Sequence, residues 1–285
     1  MKILVTGATG FIGNYVVQEL LKMGDKEIIA TSKNRDKATS LSWYKKVKYI
    51  ECNLNDPKEN YFNFFGEPDL LIHLAWEGLP NFKELYHFER NLFANYNFIK
   101  NMVSHGLKDL NIIGTCFEYG FQSGCLSEDL PTKPNMAYPI AKDTLRRFIN
   151  QLKLRFDFKF KWIRLFYMYG KGQSPKSLIP QLDNALERNE ESFNMSGGEQ
   201  LRDYLHVEKV AEYIVKISLQ NRICGIINCC DGKPISIRKL IEDYLNANNK
   251  KIKLNLGFYS YPDYEPMAFW GDNTKLRSIL KEYHD

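Results

Sequence analysis

The first half of the chain alternates short apolar segments with longer segments in which apolar residues recur every three to four positions. Short apolar segments bounded by turn residues predict strands, and the periodic segments predict amphipathic helices. The predicted strands cover residues 2–6, 27–31, 47–51, 69–75, 109–113 and 159–166. The predicted helices between them cover residues 11–23, 85–104 and 138–153. This alternation is typical of βαβ units and predicts an α/β fold with a doubly wound parallel sheet.

The pattern loosens after residue 166. Short extended segments there separate helices predicted at residues 175–188, 207–219, 236–246 and 273–282. No segment is long enough to be a linker between independent domains. We therefore predict a cofactor domain over residues 1–166 and a smaller α/β lobe over residues 167–285. Whether later segments return to the first domain stays open.

Composition narrows the classes of function. The 39 Lys and Arg exceed the 34 Asp and Glu by only five, without a basic block, so nucleic acid is not an expected partner. No apolar segment approaches the roughly 18 residues of a membrane span, and the N-terminal apolar segment is too short for a signal peptide. We expect a cytoplasmic protein. The six cysteines are sparse and lack metal-ligand spacing, so no metal site is expected.

A glycine-rich turn, TGATGFIG at residues 6–13, follows the first predicted strand and opens the first predicted helix. In that context Gly7 permits the tight turn, Gly10 lets the backbone approach a pyrophosphate, and Gly13 lets helix and strand pack closely. The helix N-terminus offers its free N–H groups to the phosphates. The motif predicts a Rossmann-type domain that binds NAD or NADP.

The end of the second strand reads TSKNR at residues 31–35 and carries no acidic residue. An acid at this point binds the adenosine ribose hydroxyls and repels a 2′-phosphate. Ser32, Lys33 and Arg35 instead suit a phosphate. We therefore favour NADP over NAD, while a solvated charged loop is the alternative interpretation.

Tyr138 and Lys142 lie four residues apart at the start of a predicted helix and project from one face. An ammonium beside a phenol lowers the pKa of the phenol, so Tyr138 is a candidate proton donor. Thr115 ends the strand at 109–113, at the sheet edge where ligands bind. Its hydroxyl is a candidate partner for the same substrate oxygen.

These residues carry a family resemblance. The chain resembles the extended short-chain dehydrogenase/reductases, and within them the nucleotide-sugar epimerase/dehydratase group, through TGATGFIG, HLAW (73–76), Asn91, GTCFEYG (114–120), YPIAK (138–142) and LRDYLHV (201–207). The resemblance implies a catalytic triad of Thr115, Tyr138 and Lys142. With the residues above it gives a cofactor site of Gly7, Gly10, Phe11, Ile12, Gly13, Ser32, Lys33, Arg35, Asn53, Leu54, Leu74, Ala75, Trp76, Asn91, Tyr138 and Lys142. It gives a substrate site of Trp76, Thr115, Tyr167 and Arg202.

Departures from the family narrow the implied reaction. Sugar 4,6-dehydratases carry Asp-Glu after the catalytic threonine, where this chain has Cys116 and Phe117. The GDP-fucose synthases have their catalytic cysteine at the position of Phe117. Cys116 comes one residue too early, on the opposite side of an extended strand, and is interpreted as a packed thiol. Tyr167 replaces an asparagine that is common in the epimerases. Arg202 matches the arginine that contacts the nucleotide diphosphate in the family.

The chain is most similar to bacterial 4-ketoreductases of dTDP-4-dehydro-6-deoxy sugars. The resemblance implies an NADPH-dependent sugar ketoreductase of deoxysugar and lipopolysaccharide biosynthesis, with Trp76, Phe82 and Tyr167 as aromatic faces for the sugar or as core residues. It also implies a homodimer through the helices near 85–104 and 138–153. The alternatives are an epimerase with tightly bound NAD and a non-catalytic cofactor-sensing protein. The nucleotide and the stereochemistry at C4 stay open.

Overall fold

The computed structural model describes residues 1–283. Its strands are β1 (Lys2–Thr6), β2 (Glu27–Ser32), β3 (Lys48–Glu51), β4 (Leu70–His73), β5 (Asp109–Thr115), β6 (Gly124–Leu126), β7 (Lys159–Leu165), β8 (Tyr167–Tyr169), β9 (Ser192–Asn194), β10 (Leu201–His206), β11 (Gly225–Cys229), β12 (Pro234–Ser236), β13 (Lys253–Asn255) and β14 (Phe269–Gly271). Seven of them form one parallel sheet in the order β11-β7-β5-β4-β1-β2-β3. This sheet confirms the predicted doubly wound α/β fold.

Helices cover both faces of the central sheet. The α-helices in the described part of the chain are α1 (Phe11–Lys22), α2 (Arg35–Thr39), α3 (Tyr61–Phe64), α4 (Leu92–Ser104), α5 (Ala137–Leu152), α6 (Leu178–Glu187), α7 (Val207–Leu219), α8 (Ile237–Ala247) and α9 (Thr274–Lys281). Because side chains alternate along a strand, Ile3 and Val5 of β1 pack in the core beneath α1, α7 and α9, and Leu4 packs in the core beneath α3, α4 and α5. Burial on both faces explains the continuous apolar strands. Within residues 1–283, no helix is both long and apolar enough to cross a bilayer.

The helix predicted over residues 85–104 is a regular α-helix only from Leu92. Residues His87–Asn91 form a π-helical turn before it. In this turn the buried His87 accepts a hydrogen bond from Trp76 Nε1 (3.0 Å) and donates one from Nε2 to the Asn81 carbonyl (2.9 Å). These hydrogen bonds join His87 to residues outside the helix. The pattern of apolar positions does not encode such bonds, so it did not predict the π-helical turn.

Three elements beyond residue 166 pack with the central sheet. β11 pairs in parallel with β7 at the sheet edge, α7 packs against α1, and α9 packs against α7 and β11. Strand β14 pairs with β6, while a small lobe holds β12, β10 and β8 in one sheet and β9 paired with β13. Helices α6 and α8 of this lobe pack around Leu182, Ile241 and Leu245.

Candidate active site

A cleft lies at the carboxyl ends of the central strands, where the strand order runs outward from β1 in both directions. Open α/β sheets bind ligands at such a point. The cleft consists of two adjoining cavities of about 320 and 470 Å³ that share Gly7, Gly10, Leu74, Trp76 and Gly78. All the predicted site residues except Arg35 and Arg202 line one cavity or both.

The glycine-rich turn closes one side of the cleft. Gly7 has a φ of +67°, and a Cβ added at Gly13 would lie 2.2 Å from the Gly7 carbonyl oxygen, so both positions exclude side chains. Gly10 precedes α1 and offers no side-chain acceptor, and the first turn of α1 carries no acidic residue. The first N–H groups of the helix are therefore open to an anion. These features fit the pyrophosphate of a dinucleotide.

The first cavity is bordered by the end of β2, where the sequence predicts phosphate contacts. Ser32 and Lys33 line it, as predicted. The Lys33 ammonium forms an ion pair with Glu77 from the segment after β4 (2.8 Å). Arg35 does not line the cavity, because its guanidinium turns to Glu51 at the end of β3 (Nε to Oε2, 3.4 Å). Positive charge near the predicted phosphate site is therefore already partly neutralised by two carboxylates.

Glu77 is a residue of this site that sequence reasoning missed. Its carboxylate also accepts from Arg90 Nη2 (3.2 Å) and Asn55 Nδ2 (3.3 Å), and its carbonyl accepts from Asn91 Nδ2 (3.0 Å). It joins the wall of the cavity to three other segments of the chain. Its position directly after HLAW is the one signal in the sequence that points to it.

The second cavity brings Thr115, Tyr138 and Lys142 together. Thr115 is the last residue of β5, and its hydroxyl accepts from the Phe117 N–H (3.3 Å). Tyr138 lies in the first turn of α5, where its otherwise unpaired N–H donates to the Phe82 carbonyl (2.9 Å). The Thr115 hydroxyl and the Tyr138 phenol both line this cavity, and the hydroxyl opposes the rise in the pKa of the phenol. Lys142 follows one turn later on the same face.

Burial dominates the protonation states of this group. It raises the pKa of Tyr138, with the Glu118 carboxylate adding to the rise and the Thr115 hydroxyl opposing it. The expected lowering of the Tyr138 pKa by Lys142 is thus wrong for the free protein. Tyr138 keeps its proton at neutral pH, as a proton donor must. Burial also lowers the pKa of Lys142 to about 7, against the attraction of Glu118.

Aromatic rings form the wall opposite the glycine-rich turn. The Phe82 ring lies 5.7 Å from Tyr138 and 5.3 Å from Phe117, and the Phe117 ring lies 6.0 Å from Tyr167, between ring centroids. Trp76 closes the inner end, with its ring 5.9 Å from Tyr138. An apolar wall around two hydroxyl groups suits a ligand with one reactive oxygen and an apolar substituent.

Arg202 is not free to bind a phosphate in this structure. It is 1% exposed, and its Nη2 forms an ion pair with Glu265 (2.9 Å). Its Nη1 donates to the carbonyls of Leu201 (2.8 Å) and Met267 (3.1 Å), and Tyr167 donates its hydroxyl hydrogen to the same Glu265 carboxylate. Contact between Arg202 and a diphosphate requires Glu265 to release it. Sequence reasoning missed Glu265, whose partners lie about 60 and 100 residues upstream.

Cys116 borders the second cavity as a packed thiol. It is buried with Tyr119, Phe166 and Cys230, and burial raises its pKa far above the ordinary value. The predicted reason was incorrect, because β5 ends at Thr115 and Cys116 begins a 3₁₀ turn rather than continuing an extended strand. The thiol is a poor proton donor or nucleophile in this environment.

Comparison with known proteins places the chain in a family. The profile of the NAD dependent epimerase/dehydratase family matches residues 3–230. The chain belongs to this family. Its sequence is 29% identical, over 95% of its length and 99% of the relative, to a dTDP-6-deoxy-L-talose 4-dehydrogenase (NAD(+)) of Aggregatibacter actinomycetemcomitans. It is 25% identical, over 87% of its length and 82% of the relative, to a dTDP-4-dehydro-6-deoxyglucose reductase of Escherichia coli.

Solved structures of other proteins share the fold of this chain. A UDP-glucuronic acid 4-epimerase of Bacillus cereus, in complex with UDP-glucuronic acid and NAD, superposes with a TM-score of 0.84. That match has 24% identity and covers 99% of this chain and 93% of the epimerase. As a member of the NAD-dependent epimerase/dehydratase family with sugar-nucleotide dehydrogenases and reductases among its relatives, the protein is an NAD(P)-dependent oxidoreductase.

Proposed function

We propose that the protein reduces the 4-keto group of a nucleotide-linked 4-dehydro-6-deoxyhexose, a dTDP sugar like those named for its relatives, with NADPH as reductant. The observation that carries the proposal is the pair of hydroxyls, Thr115 and Tyr138, at one end of an aromatic cavity beside the dinucleotide turn. The 29% and 25% identical relatives named above act on dTDP-6-deoxy sugars and support this substrate class. We place the reaction in the cytoplasm, in deoxysugar and lipopolysaccharide biosynthesis.

The chain supplies proton transfer and positioning. When bound, the nicotinamide cofactor supplies the hydride that the keto carbon receives. Tyr138 carries its proton into the reaction and gives it to the substrate oxygen as negative charge develops there. The Thr115 hydroxyl, in the same cavity, hydrogen-bonds the same oxygen. Phe82, Phe117 and Tyr167 hold the methyl-bearing side of the sugar and exclude water from it.

Lys142 acts on Tyr138 and on the cofactor ribose. Its ammonium lies 4.4 Å from the centroid of the Trp76 ring and 5.4 Å from that of Trp162, in a cage that desolvates it. A cation held there stabilises the phenolate that remains on Tyr138 after the proton has left. Its N–H donors are also available to the ribose hydroxyls.

Two side chains argue for simple reduction over the other reactions of the family. Cys116 and Phe117 occupy the positions at which dehydratases carry their acid pair, and neither is a carboxylic acid. The alternative is epimerisation, which the fold of UDP-sugar epimerases also accommodates. The two differ in a measurable way, because an epimerase returns the hydride to the sugar and consumes no cofactor.

The preference for NADPH rests on the end of β2. Ser32, Lys33 and Lys37 border the first cavity there, and β2 ends without an acidic residue. A 2′-phosphate at this point takes Lys33 away from Glu77 and gains a charge-assisted hydrogen bond in exchange. Glu77 opposes the preference and keeps NADH as a usable second reductant.

Incubation of the purified protein with dTDP-4-dehydro-6-deoxyglucose and either NADPH or NADH tests the proposal. We expect stoichiometric loss of absorbance at the nicotinamide band, faster with NADPH, and a product whose NMR spectrum shows a new hydrogen at C4. Deuterated NADPH then places deuterium at that carbon. Interconversion of C4 epimers of a UDP or dTDP sugar without cofactor consumption establishes the epimerase alternative instead. A clear preference for NADH refutes the cofactor assignment.

We also propose a homodimer through α4 and α5, which pack side by side on one face of the sheet. Phe93, Ile140 and Phe148 are exposed on these two helices, and Tyr96 stacks edge-on against Phe148 at 5.5 Å. Exposed apolar side chains grouped in this way favour association. Light scattering of the wild-type protein is expected to give twice the mass of the chain, and the Phe93→Glu, Phe148→Glu double variant the mass of one chain. A wild-type monomer at micromolar concentration contradicts the proposal.

A further inference from the structure

Glu118 is a buried carboxylate to which the sequence assigns no role. It lies in the 3₁₀ turn after β5 and is 0% exposed. Its Oε1 accepts from the Thr115 N–H (2.9 Å) and from Trp162 Nε1 (2.9 Å), and its Oε2 accepts from Arg164 Nε (2.8 Å). Three hydrogen-bond donors, one each from Thr115, Trp162 and Arg164, thus converge on the Glu118 carboxylate.

The Glu118 carboxylate is tightly packed and is paired with a buried cation, Arg164. A Cβ added at Gly114 would lie 2.2 Å from Trp162 Nε1 and 2.7 Å from Glu118 Oε1, so the last residues of β5 pack directly on the carboxylate. Arg164 is also 0% exposed, and both of its terminal nitrogens lack hydrogen-bond partners among the described residues. A buried ion pair with unsatisfied donors is a weak source of stability. A role in the chemistry gives this pair a reason to be present.

We propose that Glu118 is a positioning residue of the active site, which fixes the backbone of Thr115 through its N–H and keeps the ammonium of Lys142 protonated. The proposal deepens the proposed reduction and rests on it for the roles of Thr115 and Lys142. Its first part follows from the 2.9 Å hydrogen bond to the Thr115 N–H. Its second part follows from the position of Glu118 beside Trp162, whose ring lies 5.4 Å from the Lys142 ammonium.

The other titratable groups that face Lys142 do not supply this negative charge. His73 at the end of β4 and His87 in the π turn both have pKa values lowered by burial, to about 3 for His73, so they are neutral at neutral pH. Tyr138 and the nearby Cys116 keep their protons, because burial raises the pKa of each. Glu118 is the carboxylate that opposes the effect of burial on Lys142.

The sign of the expected effect follows from these charges. Burial favours neutral Lys142 and Glu118 favours the ammonium, so removal of the Glu118 charge lowers the pKa of Lys142 below its value of about 7. Loss of an opposite charge near a buried ammonium lowers its pKa, and the Arg164 guanidinium, left without its carboxylate, lowers it further. In Glu118→Gln we therefore expect the Lys142 titration to move about one pH unit lower. The fraction of charged Lys142 then falls at a lower pH than in the wild-type protein.

The test is an NMR titration of the full-length protein without cofactor or substrate. Lysine enriched with ¹³C at Cε reports the protonation of each ammonium, and the resonance missing from Lys142→Arg identifies Lys142. The expected result is a midpoint near neutral pH in the wild-type protein and about one unit lower in Glu118→Gln. Glu118→Asp, which keeps the charge on a shorter side chain, is expected to keep the wild-type midpoint and to lose turnover about tenfold by loosening Thr115.

Asp109→Asn is the matched control. Asp109 begins β5, at the opposite end from Thr115, and pairs with the buried Lys161 of β7 (3.1 Å). Asp109→Asn therefore also removes a carboxylate that is paired with a buried cation of β7, but at the other end of β5 from the site. We expect this variant to leave the Lys142 midpoint unchanged. If Glu118→Gln is unstable, the Glu118→Gln, Arg164→Met double variant removes both charges of the pair, and its comparison with Arg164→Met alone isolates the effect of the Glu118 charge.

A Lys142 midpoint that is the same in Glu118→Gln as in the wild-type protein, or the same in the double variant as in Arg164→Met, overturns the proposal. An equal movement in Asp109→Asn also overturns it, because the effect is then general loosening of the sheet. The titration needs no substrate, so its outcome is independent of whether the protein reduces a dTDP sugar. Failure of the proposed function is seen in the turnover assay alone.

Discussion

Tyr138→Phe is expected to lower the turnover of the keto sugar about 1000-fold, in line with the loss of a general acid. The variant removes one oxygen from a buried ring that already lies against Trp76, Phe82 and His87. The ring contacts are retained, so the free energy of unfolding and the affinity for NADPH are expected to change little. Steady-state kinetics with the keto sugar and fluorescence titration with NADPH measure the two effects separately.

Tyr61→Phe is the control for this variant. Tyr61, the first residue of α3, is 3% exposed. Its hydroxyl donates to the Asp56 carbonyl (2.9 Å). Tyr61→Phe likewise removes the hydroxyl oxygen of a buried tyrosine, but of one that lines neither cavity. The turnover of this variant is expected to match that of the wild-type protein. Near-normal turnover by Tyr138→Phe removes Tyr138 from the mechanism, whatever the behaviour of the control.

Gly13→Ala is expected to lose at least 100-fold in affinity for NADPH. The new Cβ would lie 2.2 Å from the carbonyl oxygen and 2.9 Å from the carbonyl carbon of Gly7, and backbone atoms on a tight turn have little freedom to move. Either the turn or the start of α1 must shift, and both border the cavity. Overpacking of this kind also costs about 2 kcal/mol in the free energy of unfolding. Isothermal titration and thermal unfolding measure the two losses.

Gly24→Ala is the control for Gly13→Ala. It distinguishes the steric clash of a new Cβ from the general cost of replacing a glycine. Gly24 follows α1 with a φ of +61°, and a Cβ there meets nothing within 4 Å. It is expected to cost about 1 kcal/mol through backbone strain alone, with unchanged affinity for NADPH. If Gly13→Ala binds NADPH as tightly as this control, the glycine-rich turn does not hold the cofactor in the way inferred.

The parts of the site that could be predicted are those with local patterns. The glycines of the first turn, the four-residue interval from Tyr138 to Lys142 and the strand end at Thr115 are each encoded within a few residues. The alternation of short apolar segments with helical segments predicted the central sheet in the same way. These features depend on backbone geometry, which neighbouring residues determine.

Three acidic residues were missed for the opposite reason. Glu77 and Glu265 acquire their partners when distant segments meet, and Glu118 meets Arg164 across 46 residues, although its bond to the Thr115 N–H completes a local capping box. The direction of the Tyr138 pKa was wrong on similar grounds, because the effect of Lys142 was visible in the sequence and the depth of burial was not. Acids whose partners lie far along the chain leave no periodic signal.

The pairing of β11 with β7 has a consequence for synthesis on the ribosome. When residue 166 has emerged, six of the seven strands of the central sheet are available, and β7 is its outer strand. Its hydrogen-bonding groups stay bare until Gly225–Cys229 follows about 60 residues later. A bare, apolar strand edge invites pairing with other chains. The nascent chain therefore passes through a stage at which this edge is open to other chains, and a chain shortened after residue 166 is expected to keep the edge open and to aggregate more readily than the full chain.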